Sequence, residues 1–415
     1  MPRFDAVIVG AGPAGSVAAL CLARAGARVA LVDRRAFPRD KACGDLVGPR
    51  GVRLLDELGI ELGEARRVGD MIVIGPSGRR VLLPALAGVD YPGHALAVSR
   101  LALDRALFEA AVAAGACPVR DLFLGLSGDP QTPTGVQLAI TGELRADVVV
   151  GADGATSRVA AAAGLVDSPR VLWGFALRSY LNVPVEVPHI LLWEPERWRL
   201  FPGYGWIFPT EDGRANVGLG LAVAADRLLA RRAGERFGDF CDHLHRHGLL
   251  PARGHGAAQR LGGWLKMGMI GTVPARGTVL LAGDAAGLIN PLQGEGIWQA
   301  MASGRSAAAA ILGGAPAGAA TRYSQALRTL AAHHRINAPV QRGIVQHPRS
   351  VSVAGRVLTA PLLRSAVAGA WGLYWNDLVR GARPSPHQRM AAGATHLVAA
   401  VASHTDTDTW FTQET

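Results

Sequence analysis

Lysine is almost missing from this chain: Lys41 and Lys266 are its only two, although the formal net charge is +10. The positive excess is therefore arginine, which fits GC-rich coding of an ordinary surface. It equally fits attraction to something anionic, such as a diphosphate, an acidic carrier protein or an anionic membrane face. Cysteine is also scarce. Cys21, Cys43, Cys117 and Cys241 show no Cys-x-x-Cys spacing, which excludes a disulfide framework and fits a reduced, cytoplasmic protein. Aromatic residues make up 6% and are not interleaved with basic runs, so no nucleic-acid partner is expected. No apolar run reaches the roughly 18 residues that a membrane span needs, and the first apolar stretch, Phe4–Val9, reads as a core strand rather than a signal peptide. His243 and His247 share a helical face near Cys241, but no second ligand pair accompanies them and no metal is expected. His333 and His334 read as a surface helix turn. What is abundant is hydrophobic content, 49% of 415 residues, enough to bury a large core in two domains.

The most informative segment is Gly10-Ala11-Gly12-Pro13-Ala14-Gly15. It follows an apolar strand and opens an Ala-rich helix, expected over 16–25, and the next strand, expected over 28–33, ends in Asp33. In that context each residue has a physical task. Gly10 permits the turn, Gly12 lets backbone approach a pyrophosphate, and Gly15 lets the helix pack on the strands. The helix N-terminus offers N–H groups and partial positive charge to the phosphates. Asp33 is placed to accept from adenosine ribose hydroxyls, with Arg34 along the same end. The segment predicts a dinucleotide site.

Two further strands end in acidic turns. Val148-Val149-Val150-Gly151-Ala152-Asp153-Gly154 is one, and Thr278 to Gly287, with Gly283-Asp284 at its tip, is the other. The second leads into Asn290-Pro291-Leu292-Gln293-Gly294-Glu295-Gly296-Ile297 and a helix expected over 298–312. This order resembles the superfamily of FAD-dependent monooxygenases (p-hydroxybenzoate hydroxylase-like) and geranylgeranyl reductases. The resemblance implies FAD, with Asp284 on the ribityl chain and the helix opening at Gly294–Gly296 directed at the pyrimidine side of the isoalloxazine. Arg100, opening the helix after Ser99, would reach the FAD phosphates. Lys41-Ala42-Cys43-Gly44-Asp45 and Gly203-Tyr204-Gly205-Trp206-Ile207-Phe208-Pro209, followed by Gly218-Leu219-Gly220, narrow the likeness to the geranylgeranyl reductase family. There the aromatic segment lines the cavity for a prenyl chain. One departure stands out: nine residues before Gly203 the family pattern has an aromatic, and this chain has Glu194 with Trp193 beside it.

The implied architecture is α/β. A Rossmann-like FAD-binding domain (1–65, 95–170 and 271–320) carries an inserted, mainly antiparallel substrate sheet (66–94 and 171–270), and 321–415 is a helical C-terminal region. Strands are expected at 175–182, 190–193, 205–208 and 216–221. The C-terminal aromatics Trp371, Tyr374 and Trp375 either close the core over the flavin or form a surface that docks on a membrane or lipid-presenting partner.

The implied chemistry is hydride transfer from flavin N5 to a carbon–carbon double bond of a hydrophobic, prenyl or polyunsaturated substrate. Cys43, Tyr204 or a water between them is the candidate proton donor, with Lys41 and Asp45 able to shift Cys43. Trp206, Phe208 and Leu292 are candidate substrate contacts. Cys43, Gly44 and Gly294 would also border the flavin. The alternative is an FAD monooxygenase, a hydroxylase or epoxidase of natural-product intermediates; a flavoprotein that only shuttles electrons is a third reading. No second nucleotide fold is recognisable, because Gly254-His255-Gly256 does not follow a strand. NAD(P)H or a small redox protein must then bring electrons transiently.

Overall fold

A computed structural model describes residues 3–85, 92–192, 203–222, 233–251, 259–291 and 294–328, together with 334, 356 and 359–363. The central strands of its first sheet, β1 (Phe4–Val9), β2 (Val29–Asp33), β11 (Gly142–Gly151) and β18 (Val279–Leu281), are runs too apolar to face water on either side. With β8 (Cys117–Arg120) they lie parallel in the order β18-β11-β1-β2-β8. Val148, Val149 and Val150 pair with Ala6 to Ile8 on one side of β11, and Val149, Val150 and Gly151 with β18 on the other. Such continuous Val/Ile/Leu runs are what a two-sided parallel sheet requires. Two antiparallel strands, β9 (Phe123–Gly128) and β10 (Pro133–Leu138), hang from β11, and β17 (Ala275–Arg276) pairs with β18.

Helix α1 (Pro13–Arg24) follows β1 and is buried along most of its length, packed between α3 (Arg100–Ala113) and α6 (Ile297–Leu312). It begins three residues before the expected start, because proline is tolerated in the first turn of a helix. Two shorter helices, α2 (Pro49–Glu57) and α4 (Arg158–Ala162), complete this half.

The second sheet has seven strands. They are β5 (Met71–Ile74), β6 (Arg80–Leu83), β12 (Leu172–Leu181), β13 (His189–Leu191), β14 (Gly203–Pro209), β15 (Ala215–Ala222) and β16 (Leu261–Met267), ordered β16-β12-β15-β14-β13-β5-β6. All pairings but β13 with β5 are antiparallel. One face is covered by α5 (Ala233–Arg246), whose Phe237, Phe240 and Leu244 pack with Ile207, Val217 and Leu219. A small sheet of β3 (Leu46–Val47), β7 (Ala95–Ala97) and β4 (Arg66–Val68) completes the strands. Trp193, Glu194, Leu292, Gln293, residues 254–256, His333, Trp371, Tyr374 and Trp375 lie outside the described residues. His334 is 3% exposed, which corrects its reading as a surface residue.

Candidate active site

The Gly-rich turn is fixed by close backbone packing. Gly10 has a φ of +101°, and a Cβ there would fall 2.3 Å from the carbonyl oxygen of Ala152. A Cβ on Gly15 would fall 1.8 Å from the carbonyl oxygen of Gly10. Gly12 differs: a Cβ would meet only Arg39 Nη2, at 3.5 Å. No side chain caps α1, whose N-cap is Gly12, so its first amides face a cavity of about 470 Å³ lined by Gly12, Pro13 and Ala14. Asp33 holds the turn from the side. Its Oδ2 accepts from the Ala11 amide at 2.9 Å, and its Oδ1 from the Arg35 amide at 2.9 Å.

The same cavity is lined by Gly10, Asp33, Arg34, Arg39, Lys41, Arg100, Asp153, Trp264, Gly283 and Asp284. Its donor set fits a dinucleotide: uncapped amides, a carboxylate beside the turn and several guanidinium groups. Arg100 is buried and is held by both oxygens of Asp104, at 2.7 Å each. Arg39 joins them, with Nη1 3.0 Å from Asp104 Oδ2. Sequence reasoning missed Arg39, which no motif flags. Asp153 caps α4: its carboxylate accepts from the amides of Arg158 and Val159 and from Ser157 Oγ. At the far end, Lys41 Nζ donates to Asp284 Oδ2 at 2.7 Å. The other lysine, Lys266, is buried under Gly283–Ala286, donates to the Ala285 carbonyl, and is pushed down to about 8 by burial.

Next to the Lys41–Asp45 segment the second sheet carries an aromatic cluster of Tyr204, Trp206 and Phe208. Trp206 lies across β15, where it can do so only over Gly218, since a Cβ there would sit 2.2 Å from the indole. Its Nε1 donates to Asn216 Oδ1 at 2.9 Å. Gly44 rests on this surface, 3.0 Å from the Phe208 ring when a Cβ is added. The two amide hydrogens of Asn216 then clamp the Cys43–Asp45 turn to the sheet, donating to the Cys43 carbonyl at 2.8 Å and to Asp45 Oδ2 at 2.7 Å. Asn216, Tyr180 and Phe208 sit at one register across β12, β15 and β14, which is why they meet. Trp206 and Phe208 are almost wholly buried, forming a wall. Tyr204 is half-buried, and its hydroxyl occupies the space beside Gly294, where a Cβ would come within 2.5 Å of it. Pro291 and Ile297 are buried beside it in the chain, and Gly296 caps α6 without a side-chain bond.

Burial sets the electrostatics here. It pushes the Cys43 thiol above its ordinary value, assisted by the charge of Asp45, and it raises the Tyr204 hydroxyl. Burial also raises the carboxyl of Asp45, to about 7, against the hydrogen bond from Tyr180 and the charge of Arg178. Arg178 is itself ion-paired with Asp40. Away from this site, His243 on α5 and His247 just past its end have ring centroids 4.4 Å apart, and burial pushes His243 down to about 4.

A parallel sheet with a glycine turn at its centre, joined to a second sheet with an aromatic cluster, is the architecture of a dinucleotide-binding protein. The chain matches the family described as FAD binding domain over residues 3–334. It is 34% identical over 347 residues to menaquinone reductase of Mycolicibacterium smegmatis, covering 80% of this chain and 81% of that one. It is 32% identical over 321 residues to geranylgeranyl diphosphate reductase of Rhodobacter capsulatus, covering 75% of each. In fold it is similar to a geranylgeranyl bacteriochlorophyll reductase-like protein of Thermoplasma acidophilum, with a TM-score of 0.74, 22% identity, and coverage of 91% of this chain and 98% of that one. The chain therefore belongs to the FAD-binding flavoproteins and, among them, to the geranylgeranyl reductase family; it is an FAD-dependent oxidoreductase. Among the described residues no helix is long and apolar enough to cross a membrane.

Proposed function

We propose that this protein saturates carbon–carbon double bonds in the polyprenyl chain of a hydrophobic substrate. The observation that carries this reading is the junction at Lys41–Asp45. One end of that segment bonds Asp284 in the dinucleotide cavity and the other is clamped by Asn216 onto the Trp206–Phe208 wall. Cofactor and apolar substrate would meet there. The relatives support the same chemistry, since menaquinone and geranylgeranyl diphosphate both carry polyprenyl chains.

In this reading the amides of Gly12, Ala14 and Gly15 would hold the pyrophosphate, Asp33 and Arg34 would flank the adenosine end, and Asp284 would hold the ribityl hydroxyls. Gly283, Pro291, Gly294, Gly296 and Ile297 shape the backbone around the ring system. FAD, once reduced, supplies a hydride to carbon. Trp206 and Phe208 exclude water and orient the chain, and Cys43 and Tyr204 border the reacting carbons. Electrons arrive from NAD(P)H or a small redox protein that visits transiently. The arginine-rich surface suits approach to an anionic membrane face or carrier.

The test is to reduce the flavin under strict anaerobiosis and add geranylgeranyl diphosphate, whose only reducible groups are its double bonds. Reoxidation at a rate that rises with substrate concentration is expected. Flavin that stays reduced, yet oxygenates the chain on admission of air, would replace the reductase with a monooxygenase.

A further inference from the structure

Saturating a double bond takes up one proton for every hydride, and the two groups nearest the reacting end are weak acids: both Cys43 and Tyr204 are raised above their ordinary values. A stronger acid lies within the same turn. Asp45 adopts a left-handed conformation, φ 59°, and its carbonyl accepts from the Val98 amide at 2.9 Å, so the turn is held from both sides. Its side chain is 1% exposed. Oδ2 accepts from Tyr180 Oη at 2.5 Å and from Asn216 Nδ2 at 2.7 Å, while Oδ1 is buried and makes no hydrogen bond. An ionised carboxylate would leave that second oxygen desolvated and unpaired, whereas a carboxylic acid avoids burying the charge.

The charged and titratable groups around it are unevenly placed. Arg178 and Tyr180 face it from β12, Arg100 from α3, and Cys43 from its own turn. Arg178 is engaged by Asp40, Arg100 by Asp104, and Lys41 by Asp284. Tyr180 is half-buried, its ring packed against the guanidinium groups of Arg178 and Arg214 while its hydroxyl donates to the Asp45 carboxyl.

We infer that Asp45 is the proton store of the site, supplying through the Cys43 thiol the proton that the substrate carbon takes up and refilling from solvent through Tyr180. The inference rests on the proposed double-bond reduction. In that step the π bond breaks, and one carbon gains the hydride with both electrons. The other carbon gains the thiol proton. The thiolate left behind takes the carboxyl proton of Asp45, and Tyr180 passes a solvent proton to the carboxylate. Asp45 thus acts through Cys43 and is a positioning and relay residue.

The experiment compares wild type with Asp45→Asn and Tyr180→Phe, each with FAD bound. Asparagine accepts the left-handed backbone and keeps the bonds from Tyr180 and Asn216. With geranylgeranyl diphosphate as the probe and dithionite as the reductant, wild-type turnover should fall as pH rises past about 7. Asp45→Asn should lose about 100-fold in turnover and lose that limb, with FAD binding and dithionite reduction of the flavin unchanged. Tyr180→Phe removes a donor to the carboxylate, so its limb should move to higher pH. Independently of any substrate, the infrared difference spectrum between pH 5 and pH 9 should show a protonated carboxyl band in wild type that is absent from Asp45→Asn. Full turnover with the limb intact in Asp45→Asn, or no shift in Tyr180→Phe, would overturn the inference. If wild type does not turn over this probe, the functional reading fails. The infrared band then decides for Asp45 alone: a titrating band supports the store, and its absence sinks it.

Discussion

Lys41 reaches across 243 positions of sequence to place its ammonium 2.7 Å from Asp284 Oδ2. The bond ties the Cys43 turn to the tip of β18, so cofactor cavity and aromatic wall are positioned against each other by a pair that is still partly open to solvent.

The side-chain exposures of that pair, 37% for Lys41 and 11% for Asp284, keep its contribution small. Lys41→Met should weaken FAD binding roughly fivefold to tenfold, about 1 kcal/mol, as read by flavin fluorescence titration. Raising salt should narrow the difference between the two proteins.

Gly12 and Gly15 separate cofactor binding from folding. A Cβ at position 12 has room against protein atoms, whereas one at position 15 meets the Gly10 carbonyl. Gly12→Ala should therefore melt like the wild-type apoprotein yet bind FAD about 100-fold more weakly, close to 2.8 kcal/mol. Gly15→Ala should lose both flavin and thermal stability. Equal melting temperatures for the two variants would show that the turn is not packed as described.

Asp104 is the buried anion on which Arg100 and Arg39 converge. Asp104→Ala leaves Arg100 buried and without its carboxylate, which should cost about 3–5 kcal/mol in urea unfolding. Loss of flavin would follow as a consequence. A variant that keeps wild-type stability while losing flavin would instead make Asp104 a ligand of the cofactor.

The raised carboxyl of Asp45 has a signed consequence for stability. Its folded value is about 7 against 3.8 for the free side chain. Between those values the folded state holds the extra proton, so this residue's contribution falls as pH rises through that window and is lowest above pH 7. Asp45→Asn removes the ionisation. Its melting temperature relative to wild type should rise from pH 5 to pH 8, by an amount equivalent to about 2.6 kcal/mol. A pH-independent difference would place the Asp45 carboxyl near its ordinary value.

The cofactor half was legible because its signals are local. A glycine turn between an apolar strand and a helix can be read within about 30 residues, and Asp33 follows at the next strand end. Cys43, Tyr204, Trp206 and Phe208 were reached through family resemblance, and the structure brings them to one place. The cluster around Asp45 was not legible in the same way. In the sequence Asp45 stands out only as a neighbour able to shift Cys43. Tyr180 lies 135 residues away and Asn216 171, and only strand register joins them. A weak signal existed, since a polar Asn216 interrupts the apolar pattern of a buried strand. Lys266 offered another, as one of only two lysines in a chain that otherwise uses arginine. Nothing in the sequence pointed to the burial of His334 or to the place of Arg39.

The central claim is that hydride reaches carbon in a polyprenyl chain. A single turnover of photoreduced enzyme with geranylgeranyl diphosphate, sealed from air and followed by mass spectrometry, tests it most directly. The account predicts a product heavier by two hydrogen atoms, formed as the flavin reoxidises. A chain recovered unchanged without air, and carrying an added oxygen atom once air is admitted, would contradict it.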